Sequence, residues 1–311
     1  MKMWIVALAI TALTTTGLCA ELDEKVWIHG SEDCGANRDP AIEIFQFDPA
    51  TFILRQNKCV HFEAPFIYVL FGEHTVFVQD TGATEEPERF PIYDVVQKLI
   101  AQRARPASAP SLRVLVTHSH SHGDHTAGDL QFRGKPGVTL IEPNAQAVRE
   151  HFGFALWPEG MAKIDLGARE LLVLPAPGHQ DESVAVYDPQ TGWLMTGDSL
   201  YPGQLYVRDW DVYKESIRRL VEFSRSHRIS AVMGTHIEMS RTPGKIFARG
   251  STFQPGEAGL ALSVEDLLFL DESLRQAGAQ AKDLTTPKFV VVPIGAFQRA
   301  LGDMLKWLSK W

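Results

Sequence analysis

The chain is poor in cysteine, in clustered positive charge and in long apolar runs. Three cysteines among 311 residues are too few for a disulfide-rich scaffold. Lys and Arg total 30 against 38 Asp and Glu, which gives a formal net charge of −8, and no basic run exceeds Arg218-Arg219. Because binding to a phosphate backbone needs clustered positive charge, we expect no nucleic-acid partner. Hydrophobic residues make up 45% of the chain, which excludes a disordered protein.

The first twenty residues have the layout of a secretory signal peptide. Lys2 precedes the apolar stretch Met3 to Leu13, and small residues follow up to Ala20. The apolar stretch is too short to span a bilayer. An uncleaved anchor or a buried N-terminal strand is the alternative. We predict a signal peptide over 1–20, one domain over 21–311, a periplasmic or secreted location, and no stable membrane insertion after cleavage.

Two cysteines remain after the predicted cleavage, Cys34 and Cys59. Because exported chains meet an oxidising environment, we predict that they form a disulfide. In the chain-entropy model, closing the loop between them stabilises the fold by about 3 to 4 kcal/mol. Two buried free thiols are the alternative.

Hydrophobic periodicity predicts strands first and then an alternation of strands and helices. The predicted strands are Ile42 to Phe47, Phe66 to Phe71, Thr75 to Gln79, Leu112 to Thr117, Gly167 to Leu174, Ser183 to Tyr187, Trp193 to Thr196, Ile229 to Met233 and Phe289 to Val292. The predicted helices start at Ile92, cover Tyr213 to Ser226 and Val264 to Leu274, and end the chain at Ala296 to Trp311. This pattern predicts an α/β layered architecture with two sheets or one large sheet. We interpret the apolar stripe of the last helix as core-facing, with a membrane or partner contact as the alternative.

Four histidines and an aspartate fall within eight residues directly after the strand that ends at Thr117. They include the pattern His-x-His-x-Asp-His, formed by His120, His122, Asp124 and His125. In a chain of this composition the pattern arises by chance about once in a thousand cases. Residues two apart on extended backbone point the same way, so His120 and His122 can bind one cation, while the Asp-His pair after Gly123 can reach a second. Imidazole and carboxylate ligands suit Zn²⁺ best, with Fe or Mn as alternatives.

Further ligands are needed from other parts of the chain, and three positions share one context. His179, Asp198 and His236 each follow an apolar strand and a glycine at the start of a loop. The glycine lets the backbone approach closely and turn the side chain inward. These three residues complete the candidate set.

With these motifs in order, the sequence resembles the metallo-β-lactamase-fold hydrolase superfamily over essentially the whole mature chain. The resemblance implies a four-layer αββα sandwich with metals at one edge of two sheets. It implies that the first metal is bound by His120, His122 and His179, the second by Asp124, His125 and His236, and that Asp198 bridges both. Asp80-Thr81-Gly82 is similar to the family's early Asp-x-Gly turn.

The family often has Thr before the first motif His, whereas this chain has Ser119 there and an extra His118 upstream. A register shifted by two would make His118 and His120 the ligands. Only the later register places an Asp-His pair at the correct offset, so we interpret His118 as a packing residue or a partner of the ligands.

Two zinc ions would lower the pKa of a bridging water to near neutrality, which makes a hydroxide the predicted nucleophile. Asp124 and Asp198 would position it, and both are predicted catalytic residues. Tyr201 is a predicted oxyanion or substrate contact and Tyr206 a second candidate, with ordinary half-buried tyrosines as the alternative. Trp157 is interpreted as a packing residue.

The superfamily's β-lactamases lack an aspartate at the position of Asp198. This residue therefore favours the group that includes glyoxalase-II-like thioesterases, lactonases and phosphodiesterases. We predict a dinuclear metal-dependent hydrolase that cleaves a small-molecule ester, lactone or thioester. An exported β-lactamase, a mononuclear-iron persulfide dioxygenase and a non-catalytic metal-binding module are the alternatives.

Overall fold

The computed structural model describes residue 22 and residues 24–103 and 110–295. The predicted signal peptide and the predicted last helix, 296–311, lie outside the described residues. Among the described helices, none is both long enough and apolar enough to cross a membrane.

The first of two large sheets is built from the N-terminal half of the chain. Its strands follow each other in sequence order: β1 (Ile42–Asp48), β2 (Thr51–Gln56), β3 (Phe66–Phe71), β4 (Thr75–Gln79), β5 (Arg113–Thr117) and β6 (Val138–Leu140). Neighbours β1 to β4 pair antiparallel, whereas β4, β5 and β6 pair parallel.

The second large sheet comes from the C-terminal half. Its strands are β7 (Ala162–Asp165), β8 (Glu170–Pro175), β9 (Val184–Asp188), β10 (Trp193–Gly197), β12 (Ala231–Gly234) and β13 (Ala261–Leu262), in the order β13-β12-β10-β9-β8-β7. Only β10 and β12 pair parallel. A small third sheet joins β11 (Gln204–Val207), β15 (Val290–Pro293) and β14 (Leu284–Thr285) in that order.

Six helices connect or flank these strands in the described part of the chain. They are α1 (Ile92–Gln102), α2 (Gly123–Thr126), α3 (Asp129–Phe132), α4 (Ala145–Phe152), α5 (Trp210–Ser226) and α6 (Val264–Ala277).

Alternation along the strands divides the apolar side chains into three layers. In β3, Tyr68 and Leu70 point into the core between the two large sheets, while Ile67 and Val69 point to the outer face, where α1 packs. In β10, Trp193 points into the core between the sheets. The next residue, Leu194, points into the core beneath α5 and α6. The order of layers is therefore helix, sheet, sheet, helix, which confirms the predicted α/β sandwich.

The segment between β2 and β3 is tied to the N-terminal region. Cys34 and Cys59 are joined by a disulfide across 25 residues of sequence, as predicted. The neighbouring Lys58 is buried, and its ammonium group donates to the carbonyl of Phe62 at 3.1 Å. Burial, and then the nearby Arg55, lower the pKa of Lys58 to about 8.

Candidate metal centre

The candidate ligands lie on four loops at one edge of the two large sheets. The loop after β5 carries the His118–His125 motif, and α2 begins within it at Gly123. From the second sheet, His179 follows β8, Asp198 follows β10 and His236 follows β12. All seven predicted ligands come together there, in two groups of four that share Asp198.

The first group consists of His120, His122, His179 and Asp198. Nε2 of His120 lies 2.9 Å from Nδ1 of His122 and 3.2 Å from Nε2 of His179, and the latter two atoms are 3.1 Å apart. Oδ2 of Asp198 lies 3.7 Å from His120 and 3.6 Å from His179. Three imidazole nitrogens and one carboxylate oxygen thus converge on one point.

The second group consists of Asp124, His125, Asp198 and His236. Oδ2 of Asp124 lies 3.2 Å from Nε2 of both His125 and His236, and those two nitrogens are 3.3 Å apart. Here Asp198 presents its other oxygen, Oδ1, at 3.6 Å from His125 and 3.5 Å from His236. Each carboxylate oxygen of Asp198 therefore faces a different group.

These separations fit divalent cations. Two ligand atoms about 2.0 to 2.1 Å from one tetrahedral Zn²⁺ lie about 3.3 to 3.4 Å apart. The separations in both groups, from 2.9 Å to 3.7 Å, bracket that value. The donor set of imidazole and carboxylate, together with this spacing, indicates divalent metal binding.

Each converging imidazole is held by a partner on its outer nitrogen. Nδ1 of His179 donates to the carbonyl of Tyr206 at 2.7 Å, and Nδ1 of His236 donates to the carbonyl of Glu63 at 3.1 Å. Nδ1 of His125 lies 3.0 Å from Oδ2 of Asp80, a residue of the Asp-x-Gly turn. These contacts fix both the direction of each ring and the nitrogen that it presents.

The remaining two imidazoles are held by residues next to other predicted ligands. His120 Nδ1 lies 3.1 Å from the hydroxyl of Ser119, which itself donates to Asp80 at 3.0 Å. Nε2 of His122 lies 2.7 Å from Nε2 of the Gln180 amide, so the ring presents its Nδ1 to the first group. The side chain of Gln180 is buried.

Two glycines allow the loops to approach this closely. A Cβ on Gly197, which has φ of +54°, would lie 2.5 Å from Cβ of Ser119, so β10 could not come this near to the histidine loop with a larger residue. A Cβ on Gly178 would lie 2.4 Å from Cα of Tyr213 at the start of α5. The glycines before Asp198 and His179 therefore allow the close approach of the backbone that the sequence predicted.

Electrostatics differ between the two groups. Burial, and then the neighbouring imidazoles, hold the pKa of His120 well below its usual range and lower that of His122 to about 3. In the second group burial opposes the shift, but the nearby carboxylates still hold the pKa of His125 well above its usual range and raise that of His236 to about 9. Repulsion between imidazoles thus shapes the first group, whereas attraction to carboxylates shapes the second.

A cavity of about 490 Å³ opens onto both groups. Its walls include Glu63, Tyr201, Tyr206, Glu238, Arg249 and the end of β15 at Val292–Pro293. The hydroxyl of Tyr201 donates to the carbonyl of Gln204 at 2.5 Å and lies 3.3 Å from Glu238. The hydroxyl of Tyr206 is 3.4 Å from Oε1 of Gln204, and its ring is half-buried.

Two sequence candidates lie outside both groups. His118 points away from the ligands and its Nε2 lies 2.8 Å from Asp129, which also accepts from Thr81 at 2.8 Å. Trp157 packs with Phe154, at 5.4 Å between ring centroids, beside the core between the sheets. The structure therefore places His118 behind the histidine loop and Trp157 away from the cavity wall.

Sequence reasoning missed Gln180, Glu63, Glu238 and Arg249. For Gln180 a signal existed, because it directly follows His179, and partners of metal-binding imidazoles often lie near the ligands. The other three lie in loops without a motif, so only the fold shows that they reach the cavity.

Comparisons with known proteins agree with this architecture. A hydroxyacylglutathione hydrolase from Chelativorans sp. (strain BNC1) is 28% identical over 145 residues, 46% of this chain and 52% of that protein. The acyl-coenzyme A thioesterase MBLAC2 from Bos taurus is 26% identical over 205 residues, 55% of this chain and 72% of that protein. The chain thus spans about half the length of the first relative and nearly three quarters of the second.

Among solved structures, the metallo-β-lactamase FIM-1 from Pseudomonas aeruginosa matches with a TM-score of 0.51 at 13% identity, over 78% of this chain and 99% of that one. TMB-1 matches with a TM-score of 0.50 at 17% identity, over 77% of this chain and 99% of that one. At these identities the likeness concerns the fold. The sequence model of the metallo-beta-lactamase superfamily matches residues 62–236, more than half of the chain and the whole span that carries the ligand loops. The chain therefore belongs to the metallo-beta-lactamase superfamily.

Proposed function

We propose that this protein is a hydrolase that binds two divalent cations, most simply Zn²⁺, and cleaves a carboxylic thioester or a related ester or lactone. The observation that carries the proposal is the position of Asp198, whose two oxygens face two separate donor groups. A carboxylate in that position can bridge two cations. The names of the two relatives, one acting on hydroxyacylglutathione and one on acyl-coenzyme A, support a thioester.

The first cation would be held by His120, His122, His179 and one oxygen of Asp198, and the second by Asp124, His125, His236 and the other oxygen. When bound, the pair would supply Lewis acidity for the scissile carbonyl and would activate water for attack. The protein supplies the fixed ring orientations and the cavity that admits the substrate.

Two of the predicted catalytic residues have clear positions in this proposal. Asp124 lines the cavity, with 18% of its side chain exposed, so its carboxylate is placed to accept a hydrogen bond from the attacking water. Asp198 is oriented by a hydrogen bond from the hydroxyl of Thr235. A substrate contact through the hydroxyl of Tyr201 would require its 2.5 Å bond to the Gln204 carbonyl to break, whereas the hydroxyl of Tyr206 would give up only a longer, 3.4 Å bond to Gln204 Oε1.

We also propose that the protein works outside the cytoplasm. The Cys34–Cys59 disulfide supports an oxidising location, since cytosolic proteins rarely keep such a bond. The N-terminal sequence of the mature protein, isolated from its native cell, would test both the cleavage after residue 20 and the export.

The test is a metal analysis combined with a substrate panel on the purified mature protein. We expect about two Zn per chain and cleavage of a thioester faster than that of a lactone, a β-lactam or a phosphodiester. Asp124→Asn should lower kcat by about 100-fold or more, while Asp94→Asn on α1, away from the cavity, should leave it unchanged. One iron per chain with oxygen consumption would point to the dioxygenase. Faster β-lactam cleavage would point to a β-lactamase, and no cleavage at all to a non-catalytic metal-binding module.

A further inference from the structure

The segment 240–259, between β12 and β13, forms part of the cavity wall although it lies beyond the residues that match the superfamily. Two isolated antiparallel bridges pair this stretch of chain with itself, Met239 with Ile246 and Ser240 with Glu257.

The far side of this segment is anchored to the N-terminal region. Gly30 pairs with Phe253, and a Cβ on Gly30 would lie only 1.8 Å from the carbonyl oxygen of Thr252, so the two backbones are in direct contact. At its end, Glu257 forms a buried ion pair with Arg55, with Nη2 and Oε1 2.7 Å apart. A segment fixed at both ends can hold a side chain in a defined place over the cavity.

Arg249 is the side chain that this segment presents to the cavity. Its guanidinium carbon lies 5.8 Å from the centroid of the Tyr206 ring, within cation–π distance. The backbone carbonyl of the same Tyr206 accepts a hydrogen bond from the candidate ligand His179. Arg249 is solvent-exposed, and within residues 24–103 and 110–295 no carboxylate lies within ion-pair distance of it.

The charges around the cavity indicate what this guanidinium is for. Four carboxylates line it, from Glu63, Asp124, Asp198 and Glu238, and Arg249 is the one Lys or Arg that does so among the described residues. Two divalent cations would offset the four carboxylates, and the predicted hydroxide nucleophile would offset the charge of Arg249 overall without being its direct partner. The side chain of Glu238 is already occupied by the backbone N–H of Gln204, at 2.6 Å. A guanidinium at the cavity wall without a carboxylate partner can bind an anionic group directly.

We propose that Arg249 binds an anionic group of the substrate, a carboxylate or a phosphate, at the end remote from the scissile bond. The planar guanidinium can accept either group with two parallel hydrogen bonds. The inference rests on the proposed thioester hydrolysis and adds a selectivity to it: the enzyme prefers thioesters whose thiol portion carries a negative charge.

Two matched pairs of thioesters test this selectivity. One pair is S-acetyl pantetheine and its 4′-phosphate, and the other is the S-acetyl derivative of methyl 3-mercaptopropionate and of the free acid. For at least one pair, wild type should show a kcat/KM about 10- to 100-fold higher for the charged member, chiefly through KM. The pair that responds identifies phosphate or carboxylate as the preferred anion.

Arg249→Met should abolish this preference while leaving the neutral thioesters within two-fold, and Arg249→Lys should retain part of it. Lys245→Met removes the same charge from the same segment away from the cavity and serves as the matched control. Equal kcat/KM for both members of each pair in wild type would overturn the inference, as would equal losses in the two Met variants.

A binding measurement separates this inference from the proposed function. Thioether analogues of the same pairs cannot be hydrolysed, and their affinity is read by calorimetry on the metal-loaded protein. If wild type cleaves no thioester, ester or lactone, the proposed function fails, yet a charged analogue that binds wild type more tightly than Arg249→Met still supports the anion site. Equal binding by both proteins refutes it.

Discussion

Replacing Gln180 by Met should weaken one of the two metal sites and spare the other. His122 directs Nδ1 towards His120 and His179, so Nδ1 must be free of a proton in order to bind a cation. Its Nε2 then carries the proton and needs an acceptor. In the structure the buried Gln180 amide turns its Nε2 towards this nitrogen, at 2.7 Å. Two N–H donors cannot face each other, so with a cation on Nδ1 the amide turns over and offers its Oε1 as the acceptor. Met has a similar length but offers no comparable acceptor.

The expected magnitude follows from the loss of this one partner. Removing a hydrogen-bond partner of a metal-binding imidazole typically costs 10- to 100-fold in metal affinity, about 1.4 to 2.7 kcal/mol. At a free metal concentration of about 1,000 times the wild-type Kd, a 30-fold weaker site lowers the stabilisation by bound metal from about 4.1 to about 2.1 kcal/mol. The second site shares only Asp198 with the first and should change by less than about three-fold.

Competition of the loaded protein with a chromophoric chelator measures the two stepwise affinities. Gln180→Glu keeps an acceptor oxygen at the same reach, so it should retain the tighter binding and serves as the matched control. The reasoning is refuted if Gln180→Met binds both metals as wild type does, or if both sites weaken equally. In the latter case Gln180 would support the whole loop rather than one ring.

Three further predictions concern a partner of the ligands, the disulfide and a buried lysine. Asp80→Asn should weaken metal binding by about 10-fold, measured by the same chelator, because one amide oxygen cannot accept from Ser119 and His125 as the two carboxylate oxygens do. The double variant Cys34→Ser/Cys59→Ser should lower the free energy of unfolding by about 3.5 kcal/mol in urea, since the bond closes a loop of 25 residues. Lys58→Met should raise the unfolding free energy at pH 7 by on the order of 2 to 3 kcal/mol, because the fold lowers the pKa of Lys58 from 10.5 to about 8 and thereby disfavours its charged form.

The sign of the Lys58 effect can be checked against pH. The unfolded chain binds a proton at Lys58 up to about pH 10.5, whereas the folded protein releases it near pH 8. The wild type should therefore gain stability from this residue as the pH rises between those values, and Lys58→Met should lack that gain. A variant whose stability advantage over wild type is unchanged at pH 10 would contradict this.

The other two predictions have their own controls. In excess reductant, wild type and the double cysteine variant should unfold equally. For Asp80→Asn the control is Asp94→Asn, which should bind metal as wild type does.

The candidate site could be located from the sequence because its residues follow strands and glycines in a fixed order. The motif from His120 to His125 comes directly after β5, and the later candidates follow β8, β10 and β12, so the fold brings them to one edge. The motifs included the turn at Asp80, but they did not show which side chain each imidazole contacts on its outer nitrogen. Gln180 and Asp80 act through side-chain directions that depend on tertiary packing.

The fold was predictable to a similar depth. Strands with regular alternation or long β-branched runs, such as β3 and β4, lie close to their predicted bounds. Strand β2 was missed because its polar Arg55 and Gln56 break the apolar pattern, and they are buried only because Glu257 and Thr84 satisfy them from distant parts of the chain. The third sheet was missed as a unit, since β11 and β15 are separated by about eighty residues and their pairing leaves no local signal.

The two donor groups also determine where the protein first unfolds locally. Each group takes ligands from the loop after β5 in the first sheet and from loops of the second sheet. Bound ions would therefore cross-link the two halves of the sandwich at that edge. When a chelator removes the ions, the two halves would separate at that edge first. Amide hydrogen exchange should then accelerate in residues 118–126 and near Asp198 well before it does around Trp193, which lies deep between the sheets.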